Sequence, residues 1–406
     1  MSKQHAVLTP WVIAALGVIG MLGPFGTDTY TPALPSMSRD LNVSMPLVQL
    51  TLAAFTIGMA VGQFVAGSLS DRIGRRAILL GGGTLVALAA LAAAFAPNVY
   101  MLIALCAVMG LASAGGITGG RAVVADLVDG VGATRPFTIL GMVVSLGPIL
   151  GPIGGALVLS VFGNWRAIFV ALAVFAVIGT IGVLVLVPES LPHEKRHRGG
   201  LLAVFANAGK ILGNRQYISH ALVLWLTFGI MFAYISTSSF IVQENLGLTP
   251  GAYATSFAVN GIGVVVTSFI TARLAGRVDP KRLLLIGVIG QCVAVVGLVL
   301  IWATQFVQSM PIFICLFVLV VSMGFVYGPV TALAMVQVRF AAGTAVALLG
   351  SIQFASAAIS ASIVGVVSQN AFTALVVVAS CAEVLVLATV IAGAVIARRN
   401  PQPVSR

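Results

Sequence analysis

Charge is what this chain has least of. Of its 406 residues only 8% are charged, against 59% that are apolar. A water-soluble protein of this length could not cover its surface with so few charges. Cysteine is nearly absent: Cys106, Cys292, Cys315 and Cys381 all fall inside apolar runs without metal-ligand spacing, and they read as small apolar packers. Histidine is just as scarce. His5 is terminal, His193 and His197 lie in a polar stretch and His220 near the end of an apolar run, so no nucleophile–base pair or metal-ligand set assembles. A phosphate-binding Gly-x-x-x-x-Gly-Lys-Ser/Thr loop is also missing. The sequence therefore predicts neither an enzyme nor an ATP-driven pump, and no cofactor or metal.

What the chain has in abundance is long apolar runs. A hydrocarbon core of ~30 Å takes about 20 apolar helical residues. Twelve windows meet that length, centred within 11–33, 46–66, 77–96, 99–120, 137–161, 167–187, 217–242, 252–272, 282–303, 310–335, 343–367 and 371–397. The fold class is thus an all-α membrane protein. A net charge of +11 would suggest nucleic acid in a soluble protein, but the placement of the basic residues says otherwise. With the N-terminus inside, 19 of the 21 Lys and Arg fall in alternate, cytoplasmic segments, and only Arg39 and Arg166 lie outside. The positive-inside rule then puts both termini in the cytoplasm, and no nucleic-acid partner is expected. Lys3 before an apolar run resembles a signal peptide, but Asp28 and prolines follow where a small-residue cleavage site would stand, so the first span is read as retained.

The longest polar interruption, 188–215, splits the spans six and six. It marks an N-terminal six-helix bundle over 1–187, a cytoplasmic linker over 188–215 and a C-terminal six-helix bundle over 216–406. A faint repeat supports the split: Leu69-Ser70-Asp71-Arg72-Ile73-Gly74-Arg75-Arg76 after span 2 has a counterpart in Leu274-Ala275-Gly276-Arg277-Val278-Asp279-Pro280-Lys281-Arg282 after span 8. Parallel halves enclosing a central site are an expected transporter plan.

Several stretches carry chemistry. In the loop Gly67 to Arg76, Gly67 and Gly74 allow close approach and a tight turn, Arg72, Arg75 and Arg76 hold the segment at the headgroups, and Asp71 needs a positive partner. The N-terminal dipole of span 11, near Gly343, is one such partner. In span 5, Gly147, Gly151 and Gly154/Gly155 share a helical face, while Pro148 and Pro152 free carbonyls and allow bending. Asp28 is a carboxylate in the outer half of span 1, expensive there unless paired, wet or protonated; it reads as a proton carrier or as a structural cap. Glu383, mid-span 12, reads as a second protonation site or as a structural carboxyl. Span 7 carries Trp225, Phe228, Phe232 and Ser236 at helical spacing with Tyr234 beside them, an aromatic wall suited either to amphipathic ligands or to packing. Asn260 and Gln353 are candidate pocket residues, and Gln63 and Gln291 are expected to tie helices together.

These stretches resemble the major facilitator superfamily, and within it the twelve-span drug/proton antiporters of the Bcr/CflA group. Gly67 to Arg76 matches the family's loop between spans 2 and 3, Thr27 to Pro35 its first-span acidic motif, Gly147 to Gly155 its antiporter motif, and Ala233 to Gln243 the group's seventh span. The resemblance covers essentially the whole chain. It implies the major facilitator fold, two six-helix bundles that rock about a midplane site, and proton-driven export from a bacterial plasma membrane. The implied substrates are small amphipathic antimicrobials of the amphenicol or bicyclomycin kind, carried by a monomer. Export of a native metabolite, with drug transport incidental, is the alternative. Asp28 and Tyr30 of the acidic motif, with Phe232, Tyr234, Asn260 and Gln353, would meet substrate, and Asp28 and Glu383 would couple protons. Gly67, Asp71, Arg72, Gly74, Arg75, Arg76, Arg121 and Asp126 would form a conformational latch, with Asp126 pairing Arg72. One departure stands out: where the family carries a span-4 arginine, this chain reads Cys106-Ala107-Val108-Met109-Gly110.

Overall fold

The computed structural model of the chain describes residues 9–127, 134–191, 209, 211–275, 277–305, 308–338 and 342–399. Most of the expected linker, with Lys195, Arg196, Arg198 and Lys210, lies outside the described residues, as do Lys3, Arg339 and Arg406. The chain divides into two compact units, Met1–Gly199 and Gly200–Arg406.

Unit 1 contains α1 (Pro10–Asp28), a single 3-10 turn (Thr31–Ala33), α2 (Leu34–Asp40), α3 (Met45–Ile73), α4 (Arg75–Ala94), α5 (Val99–Leu127), α6 (Thr134–Ser145), α7 (Gly147–Phe162) and α8 (Arg166–Leu186). Unit 2 contains α9 (Arg215–Phe240), a π turn (Ile241–Asn245), α10 (Pro250–Leu274), α11 (Pro280–Thr304), α12 (Ser309–Ser322), a 3-10 turn (Met323–Phe325), α13 (Tyr327–Val336), α14 (Ala342–Val367) and α15 (Ala371–Arg399). Among the described residues there is one isolated β-bridge, Ala275 to Val278, and no longer strand.

Local chemistry sets the helix starts. Thr9, Thr249 and Asp279 each cap a helix whose first residue is proline, through Val12 N–H (3.3 Å), Ala252 N–H (3.2 Å) and Lys281 N–H (2.9 Å). The caps satisfy exposed donors, and proline costs nothing at a position whose N–H has no helical acceptor. Eleven described helical stretches are long and apolar enough to cross a bilayer. The expected span 137–161 is divided at Leu146 into α6 and α7, because Pro148 cannot donate to the preceding turn, and α7 alone is a shorter apolar helix.

Both units use the same packing plan. In unit 1, α1 lies against α5, α7 and α8, α3 against α5, and α4 against α5 and α8. In unit 2 the corresponding pairs recur: α9 against α13, α14 and α15, α10 against α12, and α11 against α12 and α15. Glycine permits the closest of these approaches. At Gly110 of α5 a Cβ would collide with the Phe55 carbonyl of α3, so the two backbones touch directly.

Candidate functional site

The acidic motif ends a helix. Pro24 sits inside α1, and Thr27 turns its hydroxyl back to the Pro24 carbonyl (2.9 Å) while also reaching Asp28 Oδ1 (3.2 Å). Thr31 donates to the Asp28 carbonyl (2.6 Å), closing the break into the 3-10 turn. Asp28 is therefore fixed at a helix terminus with 3% of its surface exposed. Among the described residues no cation pairs with it.

The antiporter motif packs on this break, a juxtaposition the sequence did not disclose. A Cβ on Gly147 would stand 3.0 Å from Pro24 Cγ, and one on Gly151 would stand 3.1 Å from Asp28 Cβ and 3.2 Å from Thr29 N. A Cβ on Gly155 would overlap the Thr29 carbonyl and approach Pro32 Cγ to 3.1 Å. The three glycines, each one turn apart, form a smooth rail along which α7 meets α1 from Pro24 to Pro32. Gly154 belongs to another face, its nearest neighbour being Phe25 at 3.9 Å. Pro152 is buried inside α7.

Tyr30 is fully buried and stacks on Phe169 at 5.3 Å between ring centroids, and Phe169 meets Trp165 edge-on at 5.9 Å. Trp165 Nε1 and Arg166 Nη1 both donate to Asp40 Oδ2, at 2.9 and 2.5 Å, with the Arg166 guanidinium over the Trp165 ring. An aromatic ladder thus runs from an ion pair at the end of unit 1 down to the tyrosine beside Asp28. The Tyr30 hydroxyl lies near Thr51 and Cys106. Cys106 is thus a small buried thiol facing a phenol.

At the other end of unit 1 the loop differs from its expected form. Residues Gly67–Ile73 continue α3 as helix, and the whole turn is Gly74, with φ of 106°. Only glycine adopts that backbone without strain. Among the described residues nothing lies within 4 Å of a Cβ built on Gly67, which has no unusual dihedral. Arg75 is the hub: Nη1 donates to Ser70 Oγ (2.9 Å) and Asp71 Oδ1 (2.5 Å), Nε to Asp126 Oδ2 (3.0 Å), and its backbone N–H to Glu189 Oε1 (2.9 Å). Ser190 also donates to Asp126 (2.9 Å), and Arg76 Nη2 to the Leu184 carbonyl (2.6 Å). The expected pairing of Asp126 with Arg72 is thus corrected: Arg75, at the start of α4, points at α5, whereas Arg72 is exposed. Arg121 is also exposed and joins no ion pair among the described residues. Glu189 and Ser190 were missed because the start of the expected linker gives no local sign that it folds back over α4, and Ser70 because a serine in a helical run gives no sign of the arginine it meets.

In unit 2, the Asn260 amide donates to the Tyr234 hydroxyl (2.8 Å), and Tyr234 stacks on Phe257 at 5.5 Å, so these two expected pocket residues meet each other. Phe232 joins a separate aromatic group in which Phe228 contacts Phe232 at 5.2 Å, Phe354 at 5.7 Å and Tyr327 at 6.2 Å. Gln353, half-buried, adjoins this group in α14. Phe354 and Tyr327 lie far along the chain from Phe228, on α14 and at the start of α13 just after the 3-10 turn, and nothing in their own neighbourhood in the sequence announced the contact. Glu383 is buried and accepts from Cys292 Sγ at 3.1 Å, so this cysteine is more than apolar packing. Gln291 is fully buried, and among the described residues its side-chain amide finds no hydrogen-bond partner, so no interhelical bond from it is seen there.

Comparison with known proteins bears on the family and the fold. The family model described as Major Facilitator Superfamily matches residues 16–361. The chain is 32% identical over 353 residues to an uncharacterized MFS-type transporter, YdgK, of Bacillus subtilis, covering 86% of this chain and 87% of that one. It is 27% identical over 390 residues to a bicyclomycin resistance protein homolog of Haemophilus influenzae, covering 93% and 94%. Among solved structures, a peptide transporter POT in complex with sulfate superposes with a TM-score of 0.75 at 15% identity, covering 96% of this chain and 95% of that one. At that identity the match speaks for the fold alone. With a family match over most of its length, a relative above 30% identity and the helical architecture described, the chain belongs to the Major Facilitator Superfamily and is a multi-pass membrane transporter, not an enzyme.

Proposed function

We propose that this transporter is a proton-driven exporter of small amphipathic compounds, of the amphenicol or bicyclomycin kind, in a bacterial plasma membrane. The observation that carries the reading is Asp28: a buried carboxyl at a helix break, bonded by a single threonine hydroxyl and free of any cation among the described residues, lying against the glycine rail of α7. A carboxylate so placed is stable only when protonated or wetted. A group that must gain or lose a proton whenever its surroundings change is what coupling requires. One elementary charge crossing 100 mV supplies about 2.3 kcal/mol, enough for a drug gradient of some tens-fold.

The half-buried rings Phe228, Tyr327 and Phe354 in unit 2, with Gln353 beside them, supply apolar faces and an amide of the sort that neutral amphipathic compounds use. The relative named for bicyclomycin resistance supports this substrate class. The test is accumulation of a drug panel, amphenicols included, in an efflux-deficient bacterium expressing wild type or Asp28→Asn, with and without an uncoupler. Wild type lowers accumulation of at least one compound only while the proton gradient stands, and Asp28→Asn does not. Exclusion that survives the uncoupler would refute proton drive, and equal activity of Asp28→Asn would remove Asp28 from coupling.

A further inference from the structure

Among the described residues only two charged side chains are buried, Asp28 in unit 1 and Glu383 in unit 2. Glu383 is the thirteenth residue of α15 and Cys292 the thirteenth of α11, which puts each about 18 Å along its helix axis from the start, near mid-membrane depth. The Cys292 thiol donates to Glu383 Oε1 at 3.1 Å. The other oxygen, Oε2, is buried and has no hydrogen-bond partner among the described residues. Ser380, one turn away, has spent its hydroxyl on the Val376 carbonyl at 2.6 Å.

Among the described residues no positive charge is at hand. Of the elements packed on α15, α9 brings Arg215 and His220 near its start, with Tyr217 and Tyr234; the π turn brings Glu244; α11 brings Lys281 and Arg282 at its first turn, and α14 brings nothing titratable. Ten residues of helix separate Arg282 from Cys292, about 15 Å. An anionic carboxylate held by one weak thiol donor, with a bare second oxygen, would have to bear most of its desolvation cost unpaired. A neutral carboxylic acid would not. Nor does packing require the group. In unit 1 the corresponding interface, α4 against α8, is closed by Gly83 lying against Thr180, whose hydroxyl returns to its own helix at Ala176.

We propose that Glu383 and Cys292 form a proton-binding site wholly within unit 2, separate from Asp28, in which the carboxyl carries its proton on Oε2 and accepts the Cys292 thiol at Oε1. The site holds its proton whether or not the chain exports drugs.

The test is infrared spectroscopy at neutral pH of the full chain in lipid nanodiscs, with carbon-13 glutamate labelling, in an Asp28→Asn background so that the aspartic acid does not contribute. The expected result is a carboxylic-acid carbonyl band that shifts on glutamate labelling and is lost in Glu383→Gln. Cys292→Ala moves the band to higher frequency, because the carbonyl loses its donor, and Cys292→Ser moves it back. In the same samples the thiol S–H stretch shifts when Glu383→Gln is introduced. If Glu383→Gln does not fold, labelling together with the Cys292 variants still decides the matter. A glutamate-independent spectrum in the acid region, or a band indifferent to Cys292→Ala, would overturn the proposal. A band behaving as described in a chain that exports no drug would leave this site standing and remove the export reading.

Discussion

The interface between the first and fifth helical spans of unit 1 and its counterpart in unit 2 are built on opposite principles. In unit 1, α1 meets α7 through Gly147, Gly151 and Gly155, backbone against backbone. In unit 2, α9 meets α14 through hydrogen bonds: Tyr217 hydroxyl to the Ala345 carbonyl (3.0 Å), Trp225 Nε1 to the Leu349 carbonyl (3.2 Å), Ser356 Oγ to the Trp225 carbonyl (2.9 Å) and Ser360 Oγ to the Gly229 carbonyl (2.6 Å). A glycine rail holds by shape and dispersion, which vary smoothly as one helix slides past another, whereas directional bonds hold one register. The carboxyl assigned to coupling sits on the rail. The difference teaches that unit 1 is suited to movement at α1 and unit 2 to a fixed frame at α9.

Glycine substitution breaks this comparison most sharply. Gly155→Ala drives a methyl into the Thr29 carbonyl and is expected to cost about 3 kcal/mol, the upper end for overpacking. At Gly229 of the bonded interface the nearest atom to a new Cβ is 3.7 Å away, so Gly229→Ala is expected to stay within about 0.5 kcal/mol of wild type. Thermal unfolding in detergent reads both, and equal losses would erase the distinction.

The helix-joining turns offer a second contrast. After α3, Arg75 gathers Ser70, Asp71 and Asp126, with only 12% of its side chain exposed. After α10, Asp279 caps its own helix and Arg282 is exposed without an ion pair among the described residues. Arg75→Ala should therefore cost about 2 kcal/mol, the value of hydrogen bonds to charged groups, and Arg282→Ala close to nothing.

Smaller effects sharpen the picture. Ser360→Ala removes one interhelical bond and is expected to cost about 0.6 kcal/mol, typical of such bonds in bilayers. It should also speed hydrogen exchange in α14. Gly67→Ala, with open space around it among the described residues, is expected to stabilise by up to about 1 kcal/mol; a marked loss would show that Gly67 is needed for close approach.

The spans were legible because hydrocarbon imposes a length and a composition that no other solvent does. Asp28 was legible for the same reason, as a carboxylate in an apolar run, and so were the glycines of α7 by their spacing. What the glycines touch was not legible: periodicity gives a face but never names the opposing helix. The pairing of Asp126 failed at the level of one helical turn. Arg72 and Arg75 look equivalent in sequence, and only the positive φ at Gly74 decides which of them starts α4 and faces α5. The thiol at Cys292 was invisible for a different reason, since nothing in its own neighbourhood announces a carboxyl ninety-one residues later.

The central claim, that drug leaves in exchange for protons through Asp28, is tested most directly in proteoliposomes. The purified chain is reconstituted with a pH-sensitive dye inside, a proton gradient is imposed, and an amphenicol and protons are followed together. Drug should move against the protons in wild type, stop when an ionophore collapses the gradient, and fail along with its proton flux in Asp28→Asn. Gradient-driven drug movement in Asp28→Asn at the wild-type rate, or drug movement in wild type without any counterflow of protons, would contradict it.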